Sequence, residues 1–208
     1  MTTDLALLLA WADGDPSSGE ALFDRYFDAL YAFFWSKVQR EPEADDLVQV
    51  TLLACVERRD RLRPDTNFRA FLFRVARNRL YTHWRDQPRY TTVDPQSDSV
   101  AALGPSPSSV LALRGDRRRL IDALRSIPID AQIILELYYW EKLSGPELAE
   151  VFDVPEGTVR GRIRRARTLL HDTLLEQTQS TSVADSTTDG LDKWAAEIRA
   201  LSIAARGG

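Results

Sequence analysis

The chain has 208 residues, with 27 Lys+Arg against 31 Asp+Glu, two histidines, one cysteine and a 44% hydrophobic share, which leaves room for one or two compact domains with a core in each. The lone Cys55 excludes a disulfide scaffold, and one cysteine with two histidines does not supply a conventional zinc cluster, so neither a metal nor another cofactor is expected. No stretch approaches the ~20 apolar residues of a membrane span, and the start Met1-Thr2-Thr3-Asp4 lacks the basic region of a signal peptide, which predicts a cytoplasmic protein without membrane insertion.

Along the chain the charge is segregated. Up to Asp46, ten acids face only Arg25, Lys37 and Arg40. Within this acidic part Leu22, Tyr26, Ala29, Leu30 and Phe33 recur at helical spacing. A second helical pattern, Leu47, Val48, Leu52, Cys55 and Val56, carries Asp45, Asp46 and Gln49 on its polar edge. From Glu57 to Arg89, ten arginines oppose four acids. Here Phe71, Leu72, Val75, Ala76, Leu80 and Trp84 mark a third helix. Arg69, Arg74, Arg77, Arg79 and Arg85 alternate with Phe68, Phe71, Phe73, Tyr81, His83 and Trp84, a mixture suited to single-stranded nucleic acid. Phe71 and Trp84 are expected in the core.

Pro88, Pro95, Pro105 and Pro107 then stand among serines between residues 86 and 110, which predicts a flexible, extended linker. It separates a domain at 1–85 from one at 111–176. The second domain opens with Leu120, Ile121, Leu124 and Ile127 at helical spacing. Ser144-Gly145-Pro146-Glu147 is a capping box with a proline in the first turn, and Pro155 opens a further helix after Phe152-Asp153-Val154. Val159, Ile163, Ala166, Leu170 and Leu174 form the inward stripe of that helix. Thr158, Gly161, Arg162 and Arg165 fall opposite, with Arg160, Arg164 and Arg167 at the flanks. Five arginines in eight residues without an acid repel one another unless an anion is near. A short helix, a tight turn and a basic second helix match a helix-turn-helix. The end, 177–208, reads as a polar linker followed by a short amphipathic helix from near Asp189, with Leu191, Trp194, Ile198 and Leu201 on its stripe. Alternating runs long enough for a sheet are absent, so the fold class is all-α: two small helical domains joined by a Pro/Ser-rich linker.

The run from Leu124 to Leu170, with Ile127-Pro128, Glu136-Leu137, Leu143-Ser144, Glu147-Leu148-Ala149-Glu150, Val154-Pro155, Gly157-Thr158-Val159 and Arg165-Ala166-Arg167, resembles region 4 of bacterial sigma factors of the extracytoplasmic-function group. Ala44-Asp45-Asp46-Leu47-Val48-Gln49 is similar to region 2.2, and Phe71 to Asn78 to the start of the helices that read the minus-ten element. The resemblance implies a promoter-specificity subunit of RNA polymerase, not an enzyme, whose partners are core polymerase, promoter DNA and, in some relatives, an anti-sigma factor. It implies that Asp45, Asp46 and Gln49 dock on the clamp helices of the beta-prime subunit. It assigns the minus-ten element to Leu62, Arg63, Asn67, Arg74, Arg77, Asn78, Tyr81 and Arg85. The minus-thirty-five element falls to Thr158, Arg160, Gly161, Arg162, Arg164 and Arg165. The chain departs from the family at Val50, where a glutamate is usual, at Leu62, at Gly161 and at Asp153, where glycine is common in the turn.

Other functions find less support. The glycines form no phosphate cradle. His83 and His171 lie in basic helices and suit anion contact or solvent better than proton transfer. Asp45 and Asp46 point about 100° apart on a helix and make a poor metal pair. Cys55, among Leu52, Leu53, Ala54 and Val56, reads as a small core residue. The remaining alternative is a regulator that binds palindromic DNA as a dimer through its helix-turn-helix, without entering the polymerase.

Overall fold

The structure, a computed structural model, describes residues 3–59, 62, 66–87 and 92–206. Among these described residues twelve helices follow in order: α1 (Asp4–Ala12), α2 (Pro16–Trp35), α3 (Glu41–Val56), α4 (Phe68–Arg85), α5 (Val100–Leu103), α6 (Ser108–Ala112), α7 (Gly115–Ser126), α8 (Ile129–Tyr139), α9 (Gly145–Phe152), α10 (Glu156–Thr178), α11 (Thr181–Asp189) and α12 (Leu191–Arg206). Among the described residues the one sheet-like pairing is an isolated bridge between Ser99 and Pro128. The all-α class is therefore as expected.

Local chemistry sets the helix starts. Asp15 precedes Pro16 and accepts from the Ser17 amide at 3.0 Å and from the Ser17 and Ser18 hydroxyls at 2.7 Å, satisfying donors that α2 leaves free. Asn67 caps α4 by accepting from the Ala70 amide at 3.1 Å. At α9 the expected capping box is present: the Glu147 carboxylate accepts from both the amide and the hydroxyl of Ser144 at 2.7 Å. The turn from α9 to α10 passes through Asp153, whose φ of 53° and ψ of 51° place it in the left-handed region, a conformation that costs any residue with a Cβ.

In the first domain α2 packs on α1 and α3, and α4 on α3. Trp11 sets its edge on Phe23 and Phe68, with centroids 5.2 and 6.3 Å apart. Its closeness to α2 requires Gly19, where an added Cβ would stand 2.5 Å from the Trp11 indole nitrogen. In the second domain α10 packs on α7, α8 and α9. Its stripe lies inward, with Val159, Ala166, Leu170 and Leu174 buried and Ile163 packed against them.

The two domains share a seam. Helix α9 lies on α4, and beside it the ammonium of Lys37 meets the carboxylate of Glu136, both buried. Gln132 Nε2 donates to Glu136 Oε1 at 2.8 Å, Ser36 Oγ donates to the same oxygen at 3.3 Å, and Lys37 Nζ also donates to the Phe33 carbonyl at 2.6 Å. Burial pushes the Glu136 carboxyl up and the Lys37 ammonium down from their ordinary values, and each partner opposes the shift of the other. Buried Arg125 donates to the carbonyls of Ser36, Gly104 and Pro105.

Two segments differ from the sequence-based expectation. Residues 92–110 of the linker expected at 86–110 form no extended tether: Val100, Leu103 and Val110 are buried and α5 packs on α7. Glu41 accepts from the Ser109 amide at 2.9 Å and the Ser108 hydroxyl at 3.1 Å, and the Trp35 indole donates to Ser109 Oγ at 2.8 Å. Three apolar side chains among the prolines anchor the segment, and the composition around them hid that. Likewise the polar stretch expected from Gln177 forms helix: α10 runs to Thr178, Gln179 turns through the left-handed region, and α11 folds back along α10. Ala184, Thr187 and Thr188 are buried there. Small side chains at helical spacing let two helices approach closely, and such a face is faint in a hydropathy pattern.

Two stability predictions follow from the seam and the turn. Lys37→Met alone strands a buried carboxylate and is expected to cost ~3–5 kcal/mol, whereas Lys37→Met with Glu136→Leu recovers most of it; urea denaturation measures both. Asp153→Gly relieves a left-handed cost of ~1–2 kcal/mol against an added chain entropy of ~0.4–1 kcal/mol, so a gain of up to about 1.6 kcal/mol is expected in the same assay.

Candidate nucleic-acid interface

On α3 the buried side carries Leu47, Val48, Thr51, Ala54 and Cys55. Burial pushes the Cys55 thiol up to about 12, which leaves it a neutral packing group. On the outer side Asp46 and Gln49 are exposed, while Asp45 is half-buried. Beside them runs a feature that the polar reading of this edge missed: Val50, Leu53 and Val56 are 42%, 57% and 44% exposed. They recur every three residues on the face away from the core. That offset from the stripe of Leu47, Val48 and Cys55 was the available signal.

The minus-ten candidates lie on or near α4. Arg63 falls outside the described residues. Leu62 is half-buried against the core and donates its amide to the Arg59 carbonyl at 3.0 Å. Asn67, besides capping α4, donates its side-chain amide to Glu147 of α9 at 3.1 Å. Arg69 reaches the same carboxylate at 3.3 Å and the Lys142 carbonyl at 2.9 Å. About two turns further on, Arg77 donates to both oxygens of Asp130 of α8, at 3.0 and 3.3 Å. Its guanidinium lies over the rings of Tyr81 and Phe152, 4.7 and 4.8 Å from their centroids. The Tyr81 hydroxyl donates to Asp130 as well. Burial, together with that carboxylate, pushes its phenol up, so Tyr81 stays a neutral donor. Arg74 is half-buried near Phe71, and Asn78 and Arg85 are exposed.

Four of the six aromatics interleaved with these arginines are core. Phe71 and Trp84 are buried as expected, and so are Phe68 and Phe73, because α4 is packed by α1, α2, α3 and α9 at once. This corrects the broader expectation of a stacking surface: Tyr81 and His83 remain partly open. A cleft of about 230 Å³ at this end of α4 is lined by Asn78, Tyr81, Thr82, Arg85, Val93 and Pro95, with Trp84 also in contact. It combines a π surface, an amide that both donates and accepts, and a cation.

On α10, Thr158, Arg160, Gly161, Arg164 and Arg165 are exposed. Arg162 differs: it is half-buried and lies 5.9 Å from the Phe152 ring centre of α9, while it still lines one cleft with Arg165 and Asp130. The C-terminal half of α10 meets α11, where Arg167 pairs with Asp189 at 3.1 Å and His171 Nε2 stands 3.0 Å from Asp185. A cleft of about 500 Å³ between α8, α10 and α11 gathers Tyr139, Arg160, Arg164, Arg167, His171 and Asp185. Two cationic surfaces thus sit on separate domains, one on α10 and one on α4. Among the described residues no group of three metal-ligating side chains is present, and no helix is long and apolar enough to cross a membrane.

Comparison with known proteins matches residues 22–90 to the model of sigma-70 region 2 and residues 117–170 to that of sigma-70 region 4. Together the two matches span more than half of the chain. The sigma-E factor of Haemophilus influenzae, an extracytoplasmic-function RNA polymerase sigma factor, is 26% identical over 182 residues, covering 82% of this chain and 94% of the relative. That of Escherichia coli K12 is 26% identical over 174 residues, covering 79% and 91%. Among solved structures, CnrH in complex with the cytosolic domain of CnrY superposes with a TM-score of 0.63 at 28% identity, covering 84% of this chain and 98% of that one. RpoE in complex with the anti-sigma factor NepR from Bartonella quintana superposes with a TM-score of 0.53 at 27% identity, covering 70% and 89%.

The contact between α10 and α11 carries a pH dependence. Asp185, with a smaller share from Asp172, raises the His171 imidazole above its ordinary value; Arg164, Arg167, Asp189, Tyr138 and Tyr139 line the same cleft. A raised folded-state value gives stabilisation that is fully present below about pH 6.5 and lost as pH rises through the raised value. Amide hydrogen exchange of α11, corrected for intrinsic rates, is expected to show greater protection at pH 5.5 than at pH 8.5, and His171→Gln removes the difference.

Proposed function

The chain belongs to the extracytoplasmic-function sigma factors of the sigma-70 family, and from that membership we propose a division of labour among its surfaces. It is an RNA polymerase sigma factor, and sigma factors bind core polymerase and promoter DNA. In our reading α3 docks on the clamp helices of the beta-prime subunit through Asp45, Asp46 and Gln49, extended by the exposed apolar row Val50, Leu53 and Val56. Polar groups beside a modest apolar strip suit a dissociable contact. The cleft at the end of α4 takes a base from the opened minus-ten element, with Tyr81 as the π surface, Asn78 on the base edge and Arg74, Arg77 and Arg85 toward phosphates. Leu62, Arg63 and Asn67 border that element from the preceding loop. Helix α10 enters the major groove at the minus-thirty-five element, where Arg160 and Arg165 read base edges and Thr158, Gly161, Arg162 and Arg164 support the approach.

The observation that carries this reading is the exposed N-terminal half of α10, with Thr158, Arg160, Gly161, Arg164 and Arg165 all open on a helix-turn-helix. No bond is made or broken by the chain itself: its work is binding, and the polymerase supplies the chemistry. A cytoplasmic location belongs to the same proposal, since core polymerase and promoter DNA are found there. Since RpoE was solved with the anti-sigma factor NepR, a protein inhibitor of similar kind is a further proposed partner.

Run-off transcription with core polymerase tests the whole. Leu53→Asp is expected to keep the helical circular dichroism while core affinity falls by ~10-fold or more, a loss above ~1 kcal/mol that marks an interface centre. Arg165→Ala is expected to cost ~1–3 kcal/mol in promoter binding, with a loss that varies with the minus-thirty-five sequence. A homodimer bound to palindromic DNA, without association with polymerase, would overturn the reading.

A further inference from the structure

Three of the side chains assigned above to the minus-ten element, Asn67, Arg77 and Tyr81, are held in this structure by two acids from the second domain, and Arg69 beside them is held too. Asp130 is shared by Arg77 and Tyr81, and Glu147 by Arg69 and Asn67. A carboxylate held by a guanidinium and a hydroxyl occupies the place that a phosphate oxygen would take. DNA and the second domain therefore compete for one edge of α4.

The C-terminal helices tie that second domain down. Helix α12 packs on α2 of the first domain and on α8 of the second, and α11 covers α10. Leu191, Ile198 and Ser202 are buried, with Trp194 and Leu201 packed against the core. Ion pairs frame the contact: Asp192 with Lys142, Arg199 with Glu141, Glu197 with Arg117 and Asp189 with Arg167. The segment thus crosses from one domain to the other and adds two acids, Asp185 and Asp189, to the basic face of α10.

We propose that α11 and α12 form a built-in inhibitory strap that holds the second domain across α4, so that the free chain keeps its minus-ten surface masked until the strap is displaced. This rests on the reading of α4 as a DNA-facing helix. The strap suits release. It lies outside the two segments matched to regions 2 and 4, residues 22–90 and 117–170, and a helix of this length is marginal once undocked. Most of its ion pairs are exposed and weaken with salt. Its amphipathic stripe occupies a surface between α2 and α8 that an external amphipathic helix of similar pattern would have to share.

The test uses the full chain labelled with a fluorophore pair at exposed Glu20 on α2 and Glu176 on α10. Ile198→Glu puts a charge in the buried stripe of α12, and Asp189→Lys with Asp192→Lys reverses two exposed pairs without touching the core. Asp130→Asn removes one masking charge and keeps hydrogen-bonding capacity. In the strap variants energy transfer is expected to fall, and affinity for a fluorescein-labelled single-stranded oligonucleotide of mixed sequence to rise at least fivefold. Asp130→Asn should raise affinity with a smaller change in transfer. A peptide of residues 180–206 added to the chain truncated before residue 180 should lower DNA affinity again. Transfer and affinity within twofold of the parent chain, in variants that keep their helical circular dichroism, would overturn the strap. A fall in transfer without gain in DNA binding would overturn the masking. Run-off transcription by the parent chain reports separately on the sigma-factor surfaces, so failure of that reading is distinguishable.

Discussion

Everything at the domain seam is arranged around one ammonium and one carboxylate that have left water together. Neither Lys37 nor Glu136 tolerates burial alone, since an unpaired charge in a low-dielectric interior costs several kcal/mol (~3–5 when one partner is removed). The pair is a poor source of net stability, because its attraction mainly offsets desolvation. What it supplies is register. Ser36, Gln132 and the Phe33 carbonyl are placed to satisfy the remaining lone pairs and protons, and they do so only when α8 meets the end of α2 in one orientation. Arg125 adds to this by closing the carbonyls of Ser36, Gly104 and Pro105, groups that a helix end and a proline-rich segment would otherwise leave unmet. With the seam set, α9 has one seat on α4, and the acids Asp130 and Glu147 arrive at the arginines as a consequence.

The same seam resolves an apparent contradiction in composition. A chain with a formal charge of −4 carries two arginine-rich helices, and its acids do not simply cover other surfaces. Asp130 and Glu147 sit on α4, and Asp185 and Asp189 on α10. Guanidinium serves both arrangements because its planar fork meets a carboxylate and a phosphate with equal geometry. In the closed chain these cations are structural ion pairs, and in our reading the same cations are ligands for DNA once the domains part. On the N-terminal half of α10, Arg160, Arg164 and Arg165 stay exposed, which is why these cations carry the functional reading.

Much of this architecture was legible locally. Periodicity, prolines in first turns and a capping box placed α2, α3, α4, α7, α9, α10 and α12, because those signals depend on neighbours within four residues. Family-like motifs fell on segments that the structure forms as α3, α4, α9 and α10. The inward stripe of α10 was readable for the same reason: Val159, Ala166, Leu170 and Leu174 differ sharply in polarity from the arginines around them. The break at Phe152-Asp153-Val154 was readable too, and the structure makes it a turn with Asp153 in the left-handed region.

Other features were decided in three dimensions. On α4 apolar or basic side chains occur on nearly every face, so no single stripe separates core from surface. Packing by four other helices buried Phe68 and Phe73 and left Tyr81 at the edge. Val100, Leu103 and Val110 were too sparse among prolines and serines to signal a packed linker, and α11 was too small and polar to signal a buried face. The ion pairs between Arg77 and Asp130 and between Arg69 and Glu147 join residues 53 and 78 positions apart. The sequence by itself determined the helices, their polarity and the cationic surfaces, since each is a property of residues close in the chain. Only the tertiary structure decided which cations meet acids, because that depends on how the buried charges of the seam orient one domain on the other.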